Sequence, residues 1–324
     1  MMTISIINPL NNCQLNIKNQ ELIDIEGNTF PIIRGVPRIA KMDNYTNNFG
    51  IQWNAFRETQ IDKEMNGLSI SEKRFFAETG WNAIDLNGEN LLEVGSGAGR
   101  FSKVVLEKTN ATLYSIDYSD AVSANFINNG KIAPNRFHLF QASIYELPFH
   151  DNSFDKTFCL GVLQHTPDFR ASVEALIKKT KVGGEIVIDF YPIKGWWTFI
   201  HAKYILRYWT KKIKHEKLLK IIDDNIDWLI LISKILRKSG LGILARFLPL
   251  VDLNTMPASN LTDQQLREWI VLDTFDMFAP EHDHPQRITD VTNMFVSLGA
   301  TVTFAGFVEY DHGFKAAVIR GIKQ

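Results

Sequence analysis

Apolar and polar positions along the chain change period several times. Residues 1 to about 42 alternate roughly, as in LNIKNQELIDIEGNTFPIIRGVPRIA, with Gly27, Gly35 and two prolines as turn points, so short strands and turns are expected. From Tyr45 to Trp81 the spacing becomes helical, with Trp53, Phe56, Phe75 and Phe76 as packing residues. Strands and helices then alternate. NLLEVG is a strand, Arg100 to Lys108 a helix, ATLYSID a strand and SDAVSANFIN a helix. RFHLFQA and SFDKTFCLG are strands, DFRASVEALIKKT a helix and GEIVIDFY a fifth strand. Such β-α repetition predicts a mostly parallel, doubly wound sheet with helices on both faces.

The rhythm breaks at residues 194–250, where apolar residues recur at helical spacing, and this stretch is expected to be a helical insertion. It carries twelve Lys/Arg against four Asp/Glu, so the remainder of the chain is acidic by about the same margin. The sheet resumes late. ITDVTNMFVSLGA is a helix ending at Gly299, and TVTFAGFVE and GFKAAVIRG are strands. The short turn between them, with Asp311 and Gly313, makes them an antiparallel pair.

At 324 residues the chain exceeds usual single-domain size, so one large domain with additions is expected. A net charge of −1 argues against general nucleic-acid binding. Cys13 and Cys159 make neither a disulfide framework nor a zinc set, which suits a reducing compartment. The first residues lack a signal-peptide pattern, and every apolar run after residue 195 is broken by charge well short of a span. A cytoplasmic location is expected.

The candidate chemistry centres on NLLEVGSGAGRFS, residues 90–102. A triphosphate loop needs Gly-Lys-Ser/Thr at its end, and here Gly99-Arg100-Phe101 stands instead. A dinucleotide loop needs a small residue where Arg100 falls. The pattern present is Glu93-x-Gly95-x-Gly97-x-Gly99, and an acid inside the loop suits a ligand bearing ammonium or sulfonium charge rather than phosphate. Asp117, ending the second strand, is placed to accept hydrogen bonds from ribose hydroxyls. Plainer readings stay open: Glu93 capping a turn, and Asp117 as a helix N-terminal acid.

LLEVGSGAGRFS, SIDYSDA, ASIYELPFHDNSFDKTFCLGVLQHTPD and KVGGEIVIDFY together resemble, in order, the motifs of class I S-adenosylmethionine-dependent methyltransferases. The resemblance covers roughly residues 85–193 and implies a seven-stranded Rossmann-like sheet with an antiparallel seventh strand, and S-adenosylmethionine as cofactor. Carried over by position, it implies Glu93 facing the methionine amino group and Gly95, Gly97, Gly99 and Gly161 lining the cofactor. It also implies Asp117 on the ribose, Tyr118 flanking the adenine, and Ser143 and Ile144 at the adenine edge. FGIQWNAF resembles a helix that packs over the cofactor in some of these enzymes, which brings in Gln52 and Trp53; an aromatic core stripe is the other reading. FPIIRGVPRIA resembles the end of a small zinc-ribbon-like domain associated with methyltransferases. Only Cys13 remains of its paired cysteines and tetrahedral zinc needs four ligands, so a metal-free segment held by packing is expected.

The expected divisions are therefore 1–42 as the small β segment, 43–84 as a helical cover, 85–193 with 251–324 as the core, and 194–250 as a lid. After the fourth strand, Gln164 and His165 are candidates for acceptor binding, with His165 as general base or as a packing residue beside the cofactor. Tyr191, after the fifth strand, could bond the acceptor. In LDTFDMFAPEHDHPQR, Asp273, Asp276, Glu281, His282, Asp283 and His284 crowd together. The segment is read as a substrate-contacting loop bracketed by Pro280 and Pro285, with Asp276, His282 and His284 as contacts and no metal. The acceptor expected is a small molecule, a glycan or a lipid-linked intermediate, most simply methylated on oxygen, and not a nucleic acid. The basic, aromatic 194–250 stretch could add peripheral membrane contact. The alternative is a non-catalytic cofactor-binding module serving a partner protein.

Overall fold

The computed structural model describes residues 4–40, 44–62, 69–256, 261–311 and 314–324. The 42/43 division and Gly313 lie outside the described residues. The central sheet is built from β5 (Asn90–Val94), β6 (Thr112–Asp117), β7 (Phe137–Gln141), β8 (Phe154–Cys159), β9 (Thr180–Phe190), β10 (Ala300–Asp311) and β11 (Phe314–Lys323). Their spatial order is β10-β11-β9-β8-β5-β6-β7. β5 pairs in parallel with both β6 and β8, whereas β11 runs antiparallel to β9 and β10. This is the doubly wound, mostly parallel sheet expected from the pattern, including the antiparallel last strand. The chain order reverses at β5, so a crevice opens at the C-terminal ends of β5, β6 and β8, where ligands bind in open α/β sheets.

The sheet is covered on both faces, which is why its central strands read as continuous apolar runs. Leu92, Ile116, Ile186 and Ile188 join one core with α5 (Phe169–Lys179) and α9 (Ile288–Ser297). Leu91, Leu113, Phe158 and Val187 join the other with α2 (Ile70–Thr79), α3 (Arg100–Lys108) and α4 (Ala121–Asn129). Helix ends follow local chemistry. The Asp168 side chain caps α5 by accepting from the Ala171 N–H at 2.9 Å. Gly80 ends α2 at φ 70°, and a Cβ there would meet the Arg320 guanidinium at 2.4 Å.

The N-terminal residues form an antiparallel four-stranded meander of β1 (Asn16–Lys18), β2 (Glu21–Ile23), β3 (Thr29–Ile33) and β4 (Val36–Pro37). It is held by packing and polar knots: Leu15, Leu22 and Ile39 enter the core, and the Asp24 carboxylate accepts from Asn8, Asn11 and Asn28. Buried Arg38 donates to Gln141 of β7 and to Ser123 of α4, and the Ile39 N–H donates to the Gln141 carbonyl. The segment thus covers the edge strand β7, whose unpaired backbone would otherwise invite association.

The helical layer runs past residue 250, where the core was expected to resume. Between β9 and α9 come a 3-10 turn (Trp196–Phe199), α6 (Ala202–Thr210), α7 (His215–Lys238), a second 3-10 turn (Gly242–Phe247) and α8 (Asp263–Phe278). α7 buries Leu218, Ile222, Ile226 and Leu229, at three- and four-residue spacing, against Trp269, Ile270 and Phe275 of α8. A stripe this apolar cannot stay wet, so α8 belongs with α7 rather than with the sheet. α8 opens with a capping box between Thr262 and Gln265. Before the sheet, α1 (Asn47–Ala55) lies over the crevice and contacts α4.

Because Ile226 is fully buried in this layer, Ile226→Ala should destabilise the protein by about 2–4 kcal/mol through lost transfer energy and the cavity left behind. Urea unfolding followed by circular dichroism checks this. A loss below about 1 kcal/mol would mean that the layer does not unfold with the sheet.

Candidate active site

The glycine loop leaves β5 in a run of positive φ: Gly95 at 82°, Gly97 at 53° and Gly99 at 86°. Each glycine meets a different neighbour. A Cβ on Gly95 would strike Val162 at 2.3 Å, one on Gly97 would touch the Trp53 indole of α1 at 3.1 Å, and one on Gly99 would strike Asn125 and Asn129 of α4. Gly95 and Gly97 line the cavity; Gly99 does not, and its place is set by packing against α4.

The cavity is about 780 Å³ in volume and runs from the ends of β5, β6 and β8 to the helical layer. Gln52, Trp53, Asp117, Tyr118, Ile144, Gly161, Gln164, His165, Tyr191 and Asp276 all line it, so most of the residues singled out in the sequence converge here. At one end the Asp117 carboxylate accepts from the Gly97 N–H at 2.8 Å and from the N–H and hydroxyl of Ser119 at 2.8 and 2.6 Å. A carboxylate offers about four acceptor positions, so one remains for a ligand hydroxyl. Burial pushes the Asp117 acid upward against these hydrogen bonds. Tyr118 and Tyr45 form an aromatic wall beside it, with ring centroids 5.5 Å apart.

At the far end His165, Tyr191 and Asp276 meet. His165 sits in a 3-10 turn after β8, and its Nδ1 lies 3.2 Å from the His282 carbonyl. Its Nε2 lies 3.7 Å from the Asp276 carboxylate and has no hydrogen-bond partner. Tyr191 donates to Asp276 at 3.1 Å. Burial pushes Asp276 up, but His165, Lys203 and Tyr191 outweigh it and hold the acid below its usual value. Burial and the charges of Asp276, Asp283 and Asp273 push the Tyr191 phenol far up, so it stays a neutral donor. Other buried polar atoms here also lack partners: both side-chain atoms of Gln164, Gln52 Oε1 and Ser96 Oγ. Unsatisfied buried polar atoms converging on one cavity are what a polar ligand would satisfy.

Five expectations differ from this geometry, that for Gly99 among them. Glu93 does not line the cavity; its buried Oε2 accepts from Ser102 of α3 and, at 2.8 Å, from Ser115 of β6, while Oε1 has no hydrogen-bond partner. Burial raises its acid to about 7 against those two hydroxyls. Ser143 does not line the cavity either, because its hydroxyl accepts from the Tyr145 N–H at 3.2 Å and closes a local turn. Residues 272–278 are the last turns of α8 rather than a loop, which puts Asp273 and Asp276 on one helix face toward the cavity. His282 and His284 do not line it. They stack on each other at 5.8 Å, while the His284 N–H donates to the Gln164 carbonyl, so this segment braces the His165 turn through backbone contacts.

Other lining residues were not among the expected site residues. Arg74 of α2 donates to Glu78 at 2.7 Å and to Asp189 of β9 at 2.5 Å, and Asp189 also accepts from the Gly161 N–H. Arg100 faces the same region, bonded to Gln60 and Ser71. Burial, with Arg74 adding to it, lowers its guanidinium to about 10. Burial, then the Asp276 charge, raises Asp273 to about 7. Among the described residues, no three His, Cys, Asp or Glu side chains are grouped to hold a metal.

The sheet order with its crevice, glycine loop and Asp117 defines the fold of class I S-adenosylmethionine-dependent methyltransferases. Residues 92–188 match the family described as "Methyltransferase domain", so the chain carries a domain of that class, whose cofactor is S-adenosylmethionine. A tRNA U34 carboxymethyltransferase from Nautilia profundicola is 30% identical over 57% of this chain and 60% of its own length. A ubiquinone biosynthesis O-methyltransferase from Pseudomonas fluorescens is 28% identical over 38% of this chain and 55% of its own. The chain thus spans less than two thirds of these relatives. Magnesium protoporphyrin IX methyltransferase from Synechocystis PCC 6803 superimposes with a TM-score of 0.48 at 13% identity, over 86% of this chain and 97% of that one.

The position of Glu93 has a measurable consequence. Its acid is about 4.5 unfolded and about 7 folded, so the native state holds the proton more tightly. The stability this gives is full below pH 4.5 and lost as pH rises through 7. Between pH 4.5 and 8 the native protein should lose about 3 kcal/mol relative to Glu93→Gln, whose side chain does not titrate. Urea unfolding of both proteins at several pH values measures it, and parallel stability curves would contradict a buried carboxyl.

Proposed function

We propose that this chain is a methyltransferase that methylates a hydroxyl of a small-molecule, glycan or lipid-linked acceptor, with His165 taking the proton. The observation that supports it most is the unpartnered, buried Nε2 of His165, 3.7 Å from the Asp276 carboxylate, on two residues that both line the cavity. When bound, S-adenosylmethionine supplies an electrophilic methyl group on a sulfonium centre.

The donor set fits that cofactor. Asp117 keeps one acceptor position for a ribose hydroxyl, and Tyr118 and Ile144 offer flat apolar surface for the adenine. Arg74 and Arg100 bring guanidinium groups for the methionine carboxylate, while Gly95 and Gly97 let it lie close to the backbone. Gln52 and Gln164 have free amide atoms for polar contacts. On the acceptor side, the His165 Nδ1–H is donated to the His282 carbonyl, which leaves Nε2 as the base. Proton transfer to Nε2 makes an imidazolium, and the ionised Asp276 stabilises it as the neutral Tyr191 hydroxyl holds Asp276 in place. Removing the hydroxyl proton as the new bond forms is the general-base part of the reaction, and confinement in the cavity supplies alignment.

One relative is named for tRNA and another for ubiquinone biosynthesis. The overall charge of −1 favours the small acceptor for this chain.

Two experiments test the reading. Asp117→Ala should weaken S-adenosylmethionine binding in calorimetric titration by about 1.5–3 kcal/mol, the cost of a lost charged hydrogen bond; unchanged affinity would put the ribose elsewhere. His165→Ala should lower turnover by about 10²-fold or more, read as S-adenosylhomocysteine released with hydroxylated metabolites, glycans and isoprenoid alcohols, while cofactor affinity stays the same. Equal losses of turnover and affinity would make His165 a packing residue. No release by the native chain with any acceptor would favour a non-catalytic binding module.

A further inference from the structure

The aromatic residues of the helical insertion do not close over the cavity. Among its aromatic residues, Tyr204 lines the cavity, while Trp196, Trp197, Phe199, Tyr208 and Trp209 are exposed. Trp196 is 75% exposed and Ile243, in the second 3-10 turn, 73%. The two turns are joined, because Arg246 donates to the Trp197 carbonyl at 2.7 Å. Leu244 and Phe247 of the second turn are exposed as well. The surface continues along α6, where Ile205, Tyr208 and Trp209 share one helical face opposite buried Ala202, Lys203 and Arg207.

Single exposed apolar residues are ordinary, but a joined patch of this kind marks an interaction surface. Its position adds a second point. Lys194, Thr198 and His201 line the cavity, and the exposed Trp196, Trp197, Phe199 and Ile200 alternate with them on the same turn. The patch is therefore the outer rim of the cavity mouth. Charge adds a third. The 194–250 segment carries an excess of eight positive charges, with Lys211, Lys212 and Lys214 exposed just beyond the patch and the Lys212 ammonium 4.4 Å from the Tyr208 ring centroid.

We propose that this surface docks on an anionic lipid bilayer and delivers a membrane-dissolved acceptor to the cavity. The acceptor half rests on the function proposed above; the docking half does not. Trp and Tyr settle at headgroup depth, Ile243, Leu244 and Phe247 reach the acyl boundary, and the lysines meet anionic headgroups. No helix among the described residues is long and apolar enough to cross a membrane, so the association is with one surface. Projecting aliphatic side chains among the aromatics favour a bilayer over RNA, which needs flat stacking platforms.

The test is vesicle flotation of the full chain with phosphatidylcholine alone and with a 70:30 mixture of phosphatidylcholine and phosphatidylglycerol, at low and physiological salt. The native protein should float with the anionic vesicles, less at higher salt, and at least tenfold more weakly with the neutral ones. Trp196→Ser/Ile243→Ser/Phe247→Ser and Lys211→Glu/Lys212→Glu/Lys214→Glu should each lower partitioning at least tenfold. Both sets lie outside the cavity lining, and unchanged S-adenosylmethionine affinity shows that each variant is folded. Absence of flotation, or flotation equal in native and variant proteins, overturns the proposal. So does a native dimer in light scattering that the apolar variant dissociates, or a tRNA gel shift lost in the lysine variant without vesicle binding. If docking fails while S-adenosylhomocysteine is still released, only the membrane proposal falls; flotation without release with any acceptor leaves docking standing and removes the methyl-transfer reading.

Discussion

A single buried carboxyl sets the geometry of the cavity floor. Glu93, in β5, accepts hydrogen bonds from Ser102 of α3 and Ser115 of β6, and Ser102 in turn accepts from Asn125 of α4 at 3.0 Å. Four elements are tied at the point where the sheet reverses its winding. The glycine loop spans the gap between β5 and α3, so its path is fixed at both ends by this cluster. The Asp117 carboxylate then fixes the middle of the loop through the Gly97 N–H. A charged acid at this depth is costly, so burial favours the protonated form although both hydroxyls donate to Oε2.

The sheet was legible because its evidence is periodic. Apolar runs separated by amphipathic helices leave little freedom in topology, and three alternating glycines after a strand mark a backbone that its neighbours approach closely. Asp117 could be placed for a similar reason: the last residue of a strand beside the switch point faces the crevice. Glu93 lies one residue of pleat away from the cavity lining. Successive side chains of a strand alternate faces, so Glu93 shares the side of Leu91, toward α3 and α4, while Val94 is the one that lines the cavity. The motif shows an acid near the ligand but not which way the pleat turns it.

The misreading of residues 272–287 has another cause. Two prolines and a dense run of charge look like a loop, yet Asp273 and Asp276 are held on α8 by the apolar stripe of α7, about fifty residues earlier. Tertiary packing overrode local composition. The Arg74–Asp189 pair was invisible for the same reason, since it forms only when α2 crosses the sheet. The insertion shows the opposite balance. Its helices and charge were plain in the sequence, but whether its aromatic residues look inward or outward depends on which faces α7 and α8 use against each other. Once those faces are spent, α6 and the two turns have only an edge of the layer to lie on, beside the mouth of the cavity.

The central claim is that one cavity holds the cofactor between Asp117 and the His165–Asp276–Tyr191 cluster. A crystal structure with S-adenosylhomocysteine tests it most directly. The ribose hydroxyls should lie within hydrogen-bond reach of Asp117, the adenine beside Tyr118, and the sulfur should face the end of the cavity where His165 Nε2 stands. A ligand seated with its sulfur turned away from His165, or bound outside the glycine loop, would contradict the account.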